Sequence, residues 1–89
     1  MFDVSISMKK NKILGEFLVD SYFFDQSKYT YAFYLYRNNE RIDFEWYTKD
    51  LNVVFDLKDT FGVFYIKVFV KDIEHEDARS FISKKLIIE

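Results

Sequence analysis

The sequence predicts an all-β sandwich of about seven short antiparallel strands. Apolar and polar residues alternate with a period of two through most of the chain, while helical spacing is weak everywhere. Polar turns interrupt that alternation about every ten residues. The chain has no Pro, only two Gly and no run resembling a linker, so its 89 residues form one domain, residues 1–89. A chain this short buries only about 60–65% of the surface it exposes when unfolded. With no Cys to supply a disulfide, the core must come from large apolar side chains, and 11 Phe, 7 Tyr and 1 Trp provide them. AT-rich coding also raises Phe and Tyr, so the positions of the aromatics inform more than their number.

The first strand is expected over Phe2–Met8 and the second over Lys12–Val19. In the second, Ile13 and Leu14 are adjacent and apolar, which a bulge near Gly15 would reconcile. The third and fourth strands, Tyr29–Arg37 and Arg41–Thr48, flank Asn38-Asn39. Asn tolerates the positive φ that a tight hairpin turn needs. Pivoting there sets Leu35 against Ile42, Phe33 against Phe44 and Tyr31 against Trp46, all six on one apolar face. The other face then pairs Tyr36 with Arg41, Tyr34 with Asp43 and Ala32 with Glu45. This register makes Trp46 a core residue. It also makes truncation of Phe33 or Phe44 to Ala cost about 3–5 kcal/mol, while Tyr36→Ala is tolerated.

In the fifth strand, Asn52–Leu57, the side chains of Val53, Phe55 and Leu57 share a face. Gly62 precedes the sixth, where a turn with φ > 0 is expected. In Val63–Lys71, Phe64, Ile66, Val68 and Val70 point inward, and Val63, Tyr65, Lys67, Phe69 and Lys71 outward. Glu74 to Asp77 form an acidic loop. The seventh strand, Phe81–Ile88, is apolar on both faces near Leu86-Ile87-Ile88, which a bulge near Lys84 would resolve. Seven such strands suggest an immunoglobulin-like sandwich.

The segments Tyr29-Thr30-Tyr31-Ala32-Phe33-Tyr34-Leu35-Tyr36-Arg37-Asn38, Trp46-Tyr47 and Gly62-Val63-Phe64-Tyr65-Ile66-Lys67-Val68-Phe69-Val70-Lys71-Asp72 resemble the triple-tyrosine (Y_Y_Y) domain family over roughly residues 13–88. The resemblance implies an immunoglobulin-like fold and an accessory role in larger bacterial proteins, beside β-propeller sensors or proteins of polysaccharide metabolism. It implies no catalytic residues. At the family's Gly-x-Tyr position this chain has Phe64, which keeps the packing without the hydroxyl.

The inventory points away from catalysis. There is no Cys nucleophile, the single His75 belongs to no nucleophile motif, and two Gly cannot build a phosphate loop. No cofactor is expected. Asp72, Glu74, His75, Glu76 and Asp77 gather carboxylates and an imidazole, but match no calcium-loop spacing and read as a solvated turn. A net charge of −2 with interspersed signs offers no basic patch for nucleic acid; Lys9, Lys10 and Lys12 are a short turn cluster. No apolar run reaches the ~20 residues that span a bilayer, so no membrane insertion is expected. Asp3 interrupts the first apolar stretch, so no signal peptide is expected, and the chain is either cytoplasmic or a module of a longer protein.

The sharper candidate is the outward face of strands three, four and six. Tyr34 and Tyr36 would lie beside Tyr65 and Phe69, with Tyr47 on the adjoining strand and Arg41, Lys67 and Asp43 at the edges. These five aromatics are the expected binding residues. Such a face could serve strand stability alone, dock on a neighbouring domain, a partner protein or a second copy, or stack a glycan. The expected function is a non-catalytic interaction module. A carbohydrate-binding module and a structural spacer are the alternatives.

Overall fold

The structure, a computed structural model, describes residues 2–19 and 24–89. Its strands are β1 (Phe2–Lys9), β2 (Lys12–Val19), β3 (Tyr29–Arg37), β4 (Glu40–Thr48), β5 (Asn52–Asp56), β6 (Gly62–Asp72), β7 (Ala78–Ile82) and β8 (Leu86–Ile88), with a single 3-10 turn at Gln26–Lys28. β1, β2 and β5 form one antiparallel sheet in the order β1-β2-β5. The other runs β4-β3-β6-β7, and β8 continues along β6 beyond β7. The central pair β3/β6 with a three-strand sheet packed on it gives the immunoglobulin-like sandwich. Here β4 stays beside β3 instead of joining the first sheet.

One face of each strand fills the space between the sheets. Tyr31, Phe33 and Leu35 from β3 meet Phe64, Ile66, Val68 and Val70 from β6; Val4, Ile13, Phe17, Val53, Phe55 and the following Leu57 come from the opposite sheet. All are buried, as the two-residue alternation expects for every strand except β4.

The β1/β2 ladder runs without a shift from Phe2↔Val19 to Lys9↔Lys12, so the bulge expected near Gly15 does not form. Gly15 serves another purpose. A Cβ there would sit 2.5 Å from Ile66 Cδ1 and 2.9 Å from Val53 Cγ1, so the glycine lets the two sheets approach. The irregularity expected near Lys84 does form. β7 pairs β6 through Lys67↔Ile82, β8 resumes at Phe64↔Leu86, and the register slips by one residue between them. Buried Ser83 bridges the gap: its N–H donates to Ile66 O and its Oγ accepts from Ile66 N–H, both at 2.9 Å. The expected seventh strand is thus two strands.

The Asn38-Asn39 turn has φ of 51° and 67°, as a two-residue type I′ hairpin requires. Asn38 also stitches the turn to the start of β6, donating to Val63 O at 2.8 Å and accepting from Val63 N–H at 3.0 Å. Gly62 there has φ of +130°, the positive value expected.

Next to that turn the expected register holds, with Arg37↔Glu40 and Tyr36↔Arg41. It then shifts. Leu35 faces Asp43, Tyr34 faces Phe44 and Phe33 faces Glu45, and after a second shift Tyr31 faces Thr48. The expected pairs Leu35/Ile42, Phe33/Phe44 and Tyr31/Trp46 are therefore wrong, as are Tyr34/Asp43 and Ala32/Glu45. One extra residue, Ile42, turns the side chains from Asp43 to Trp46 to the other face, and the second shift restores the expected parity at Tyr47 and Thr48. Phe44 is 49% exposed and Trp46 60% exposed, while Phe33 is fully buried. The physical reason is the lack of a layer beneath β4. Its principal contact is β3, and the opposite sheet leans on β6 and β7 instead. Rings on the inner side of β4 would hang over water, so Asp43 and Glu45 take that side. Such inward charges and bulges also protect an exposed edge strand from pairing with another chain.

Candidate functional site

The shifted register enlarges the outer face of the β4-β3-β6-β7 sheet beyond what the sequence suggests. From β3 come Tyr34 and Tyr36, with Ala32 buried among the rings; from β6 come Tyr65, Lys67, Phe69 and Lys71. From β4 come Arg41, Phe44, Trp46 and Tyr47, the last two both set against Ala32 at the second irregularity. Ile82 of β7 extends the face opposite Lys67 and is 58% exposed.

All five predicted site residues lie on this face, each partly buried. They form two groups. Tyr34 meets Phe69 edge to face at 5.0 Å and Phe44 at 6.0 Å; Phe44 leads to Trp46 at 6.3 Å and Trp46 to Tyr47 at 5.3 Å. This makes one run of five rings. Tyr36 and Tyr65 form a separate parallel stack at 4.8 Å, tilted by 7°. Edge-to-face and offset contacts at these separations are favourable arrangements for aromatic quadrupoles.

Three cations lie over these rings. The Arg41 guanidinium is 4.9 Å from the Tyr34 centroid and 5.2 Å from that of Phe44. Lys67 Nζ is 5.1 Å from Phe69, and Lys71 Nζ is 5.3 Å from Tyr47. Burial, with Tyr34 adding to it, holds the Tyr47 phenol above its usual pKa, so it stays neutral. Asp43, expected at the edge of this face, instead pairs with Leu35 and lines the groove on the other side of the strand. The carboxylates of this sheet, Glu40, Asp43, Glu45 and Asp72, all pair with Arg37, Leu35, Phe33 and Tyr29, which point away from the rings. Among the described residues, the outer side of these strands therefore carries three cations and no carboxylate.

Phe44 and Trp46 are the site residues that the sequence reading missed. The adjacent aromatics Trp46-Tyr47 break the two-residue alternation, and that break marked the irregularity. At the far end of β6 the acidic loop is occupied with its own backbone. Asp72 Oδ1 accepts from Glu74 N–H at 2.8 Å and His75 N–H at 3.1 Å, and Oδ2 meets His75 Nδ1 at 3.2 Å. The His75 N–H first, then its ring, hold the Asp72 carboxyl below its usual pKa. Among the described residues no three His, Cys, Asp or Glu side chains are grouped to hold a metal ion.

A small cavity of about 180 Å³ opens at the same end, walled by Phe2, Phe17, Phe24 and Phe81 and rimmed by Asp77 and Arg79. Most ligand pockets are larger, ~300 Å³ and upward. The walls make mutual ring contacts, Phe2 with Phe24 at 5.1 Å and Phe17 with Phe81 at 5.4 Å, and belong to the core. Tyr31 is the buried phenol of this region, its hydroxyl 3.5 Å from Gln26 O, and burial raises its pKa. Phe64 is fully buried and held by packing.

Fold and face together describe a small β-sandwich module with one aromatic, cationic sheet surface. Comparison with protein-family models, with curated proteins and with solved structures finds no match to this chain. Among the described residues no helix is long and apolar enough to cross a membrane.

Proposed function

We propose that the chain is a non-catalytic interaction module that docks on a neighbouring domain or a partner protein through the outer face of β4-β3-β6-β7. The observation that carries this reading is the run of rings from Tyr47 through exposed Trp46 and Phe44 to half-buried Tyr34 and Phe69, with cations and, among the described residues, no carboxylate on the same side of these strands. Eight steps of β6 at ~3.4 Å and four strands at ~4.8 Å spacing make the face about 27 Å by 15–20 Å. Apolar patches of a few hundred Å² are commonly interaction sites, and Trp, Tyr and Arg supply most binding energy at interfaces. Strand stabilisation alone accounts poorly for Trp46, which leaves more than half of its surface in water. The resemblance to an accessory domain family agrees with this role.

A sugar ring needs a free aromatic face, and here Tyr36 and Tyr65 cover each other while cations cover Tyr34 and Phe69. Trp46 is the open ring of the run, and a single open ring supports a protein partner better than a stacked glycan site. The test replaces Trp46 with a photo-crosslinking amino acid in the full-length protein, and replaces Val54, exposed on the opposite sheet, as the control. A cross-link to one defined domain or protein from position 46 alone is expected. Equal or absent cross-linking from both positions would overturn the reading. Binding to a glycan array that Tyr34→Ala abolishes would replace it with the carbohydrate alternative.

A further inference from the structure

We propose that the surface docking on this face is an acidic, apolar patch of a protein, an inference that rests on the docking role above. The face carries cations and its rim is mixed, with Lys49 just past β4 and Lys85 beside Tyr65 and Ile82 as well as several acids. Among the described residues, Arg41, Lys67 and Lys71 sit among the rings with no carboxylate on the same side of these strands, in a chain whose net charge is −2. The acids lie just beyond: Glu40, Asp43 and Glu45 on the far side of the edge strand, and Glu74, Glu76 and Asp77 in the turn after β6, all exposed. A partner matched to this pattern has carboxylates and apolar side chains at its centre and tolerates or exploits acid at the rim.

That pattern selects among occupants. A long polyanion, whether single-stranded nucleic acid or an anionic bilayer, extends past three cations and meets Glu74, Glu76 and Asp77 in the turn after β6, where like charges repel. A second copy placed face to face sets Arg41, Lys67 and Lys71 against their own equivalents. The face also offers only ~400–500 Å² in projection, below the ~800 Å² per partner of a standard interface. The same area limits any folded partner to a small interface, but a protein patch of mixed sign avoids the clash of like charges. Its carboxylates reach cations already oriented on rings, and aromatic hot spots sit at the centre.

The test is NMR titration with a synthetic peptide alternating Glu with Phe and Leu, and with its Gln and Lys analogues. Oligothymidylate and phosphatidylserine vesicles serve as polyanion controls. The Glu peptide should shift amides of β3, β4 and β6 and bind at least about tenfold more tightly than the Gln peptide, as several charge pairs of modest strength add up. Lys67→Glu/Lys71→Glu should invert the preference toward the Lys peptide, a gain that a misfolded variant cannot show. Equal binding of Glu and Gln peptides at this face would remove the acidic partner and leave the docking role standing. No shift from any peptide would remove both. Tighter binding of oligothymidylate or vesicles than of the Glu peptide, or concentration-dependent self-association through these amides, would overturn the assignment to an acidic protein.

Discussion

Phe33 and Phe44 lie in neighbouring strands, and the shifted register gives them opposite environments. Phe33 is fully buried between the sheets, so Phe33→Ala removes a whole ring from a packed core and should cost about 3–5 kcal/mol. Phe44 is 49% exposed. Half of a ring's transfer free energy is about 1 kcal/mol, and losing part of its contacts with Tyr34 and Arg41 brings Phe44→Ala to about 1–2 kcal/mol. A domain of 89 residues has roughly 4–13 kcal/mol of stability in total, so the difference decides folding. The assay is urea unfolding followed by far-ultraviolet circular dichroism. At an m-value of ~1.5 kcal/mol/M, Phe33→Ala should move the midpoint down by about 2–3 M and Phe44→Ala by about 1 M. If Phe33→Ala does not fold, Phe33→Leu should still lower the midpoint more than Phe44→Leu does. Equal costs at the two positions would refute the shifted register.

Gly15→Ala should destabilise by about 1–3 kcal/mol through overpacking against Ile66 Cδ1 and Val53; Ile66→Val removes the nearest clashing atom, and the double mutant should recover part of the loss in a urea cycle. Ser83→Ala should cost about 1–3 kcal/mol, because it leaves the Ile66 N–H buried without an acceptor; thermal unfolding measures it. The depressed pKa of Asp72 means its clip on the β6–β7 turn is intact above the usual carboxylate range and is lost as pH falls through that lowered pKa. The amide shifts of Glu74 and His75 should therefore include an acid step below the usual Asp range that disappears in Asp72→Asn.

Much of this fold is legible because burial on one side forces alternation. In β5 and β6 the inner set Val53, Phe55, Phe64, Ile66, Val68 and Val70 is where the two-residue pattern puts it, since both strands have the opposite sheet beneath them. The Asn38-Asn39 turn fixes the first pairs of the hairpin for a local reason, the positive φ of both residues. The pattern fails in β4 because its inner side has no covering layer. Alternation there says that rings and acids occupy opposite faces, but not which face is wet, and a one-residue bulge at Ile42 reverses the answer. Gly15 misled in a related way, since a glycine in a strand signals a bulge or a close approach with equal force, and only the position of Ile66 across the sandwich decides between them. Tyr34, Tyr36, Tyr65 and Phe69 lie where the sequence puts them because β3 and β6 were read correctly; Tyr47 does so because the second shift in β4 restores the parity, and Phe44 and Trp46, between the two shifts, were missed.

Trp46 is the only tryptophan in the chain, so its fluorescence reports the face of β4 without ambiguity. Quenching of the native protein by iodide should approach that of the urea-unfolded chain and exceed quenching by caesium, since cations border the ring's surface. A blue-shifted emission that neither ion quenches until the protein unfolds would place Trp46 in the interior, and the docking surface would lose its centre.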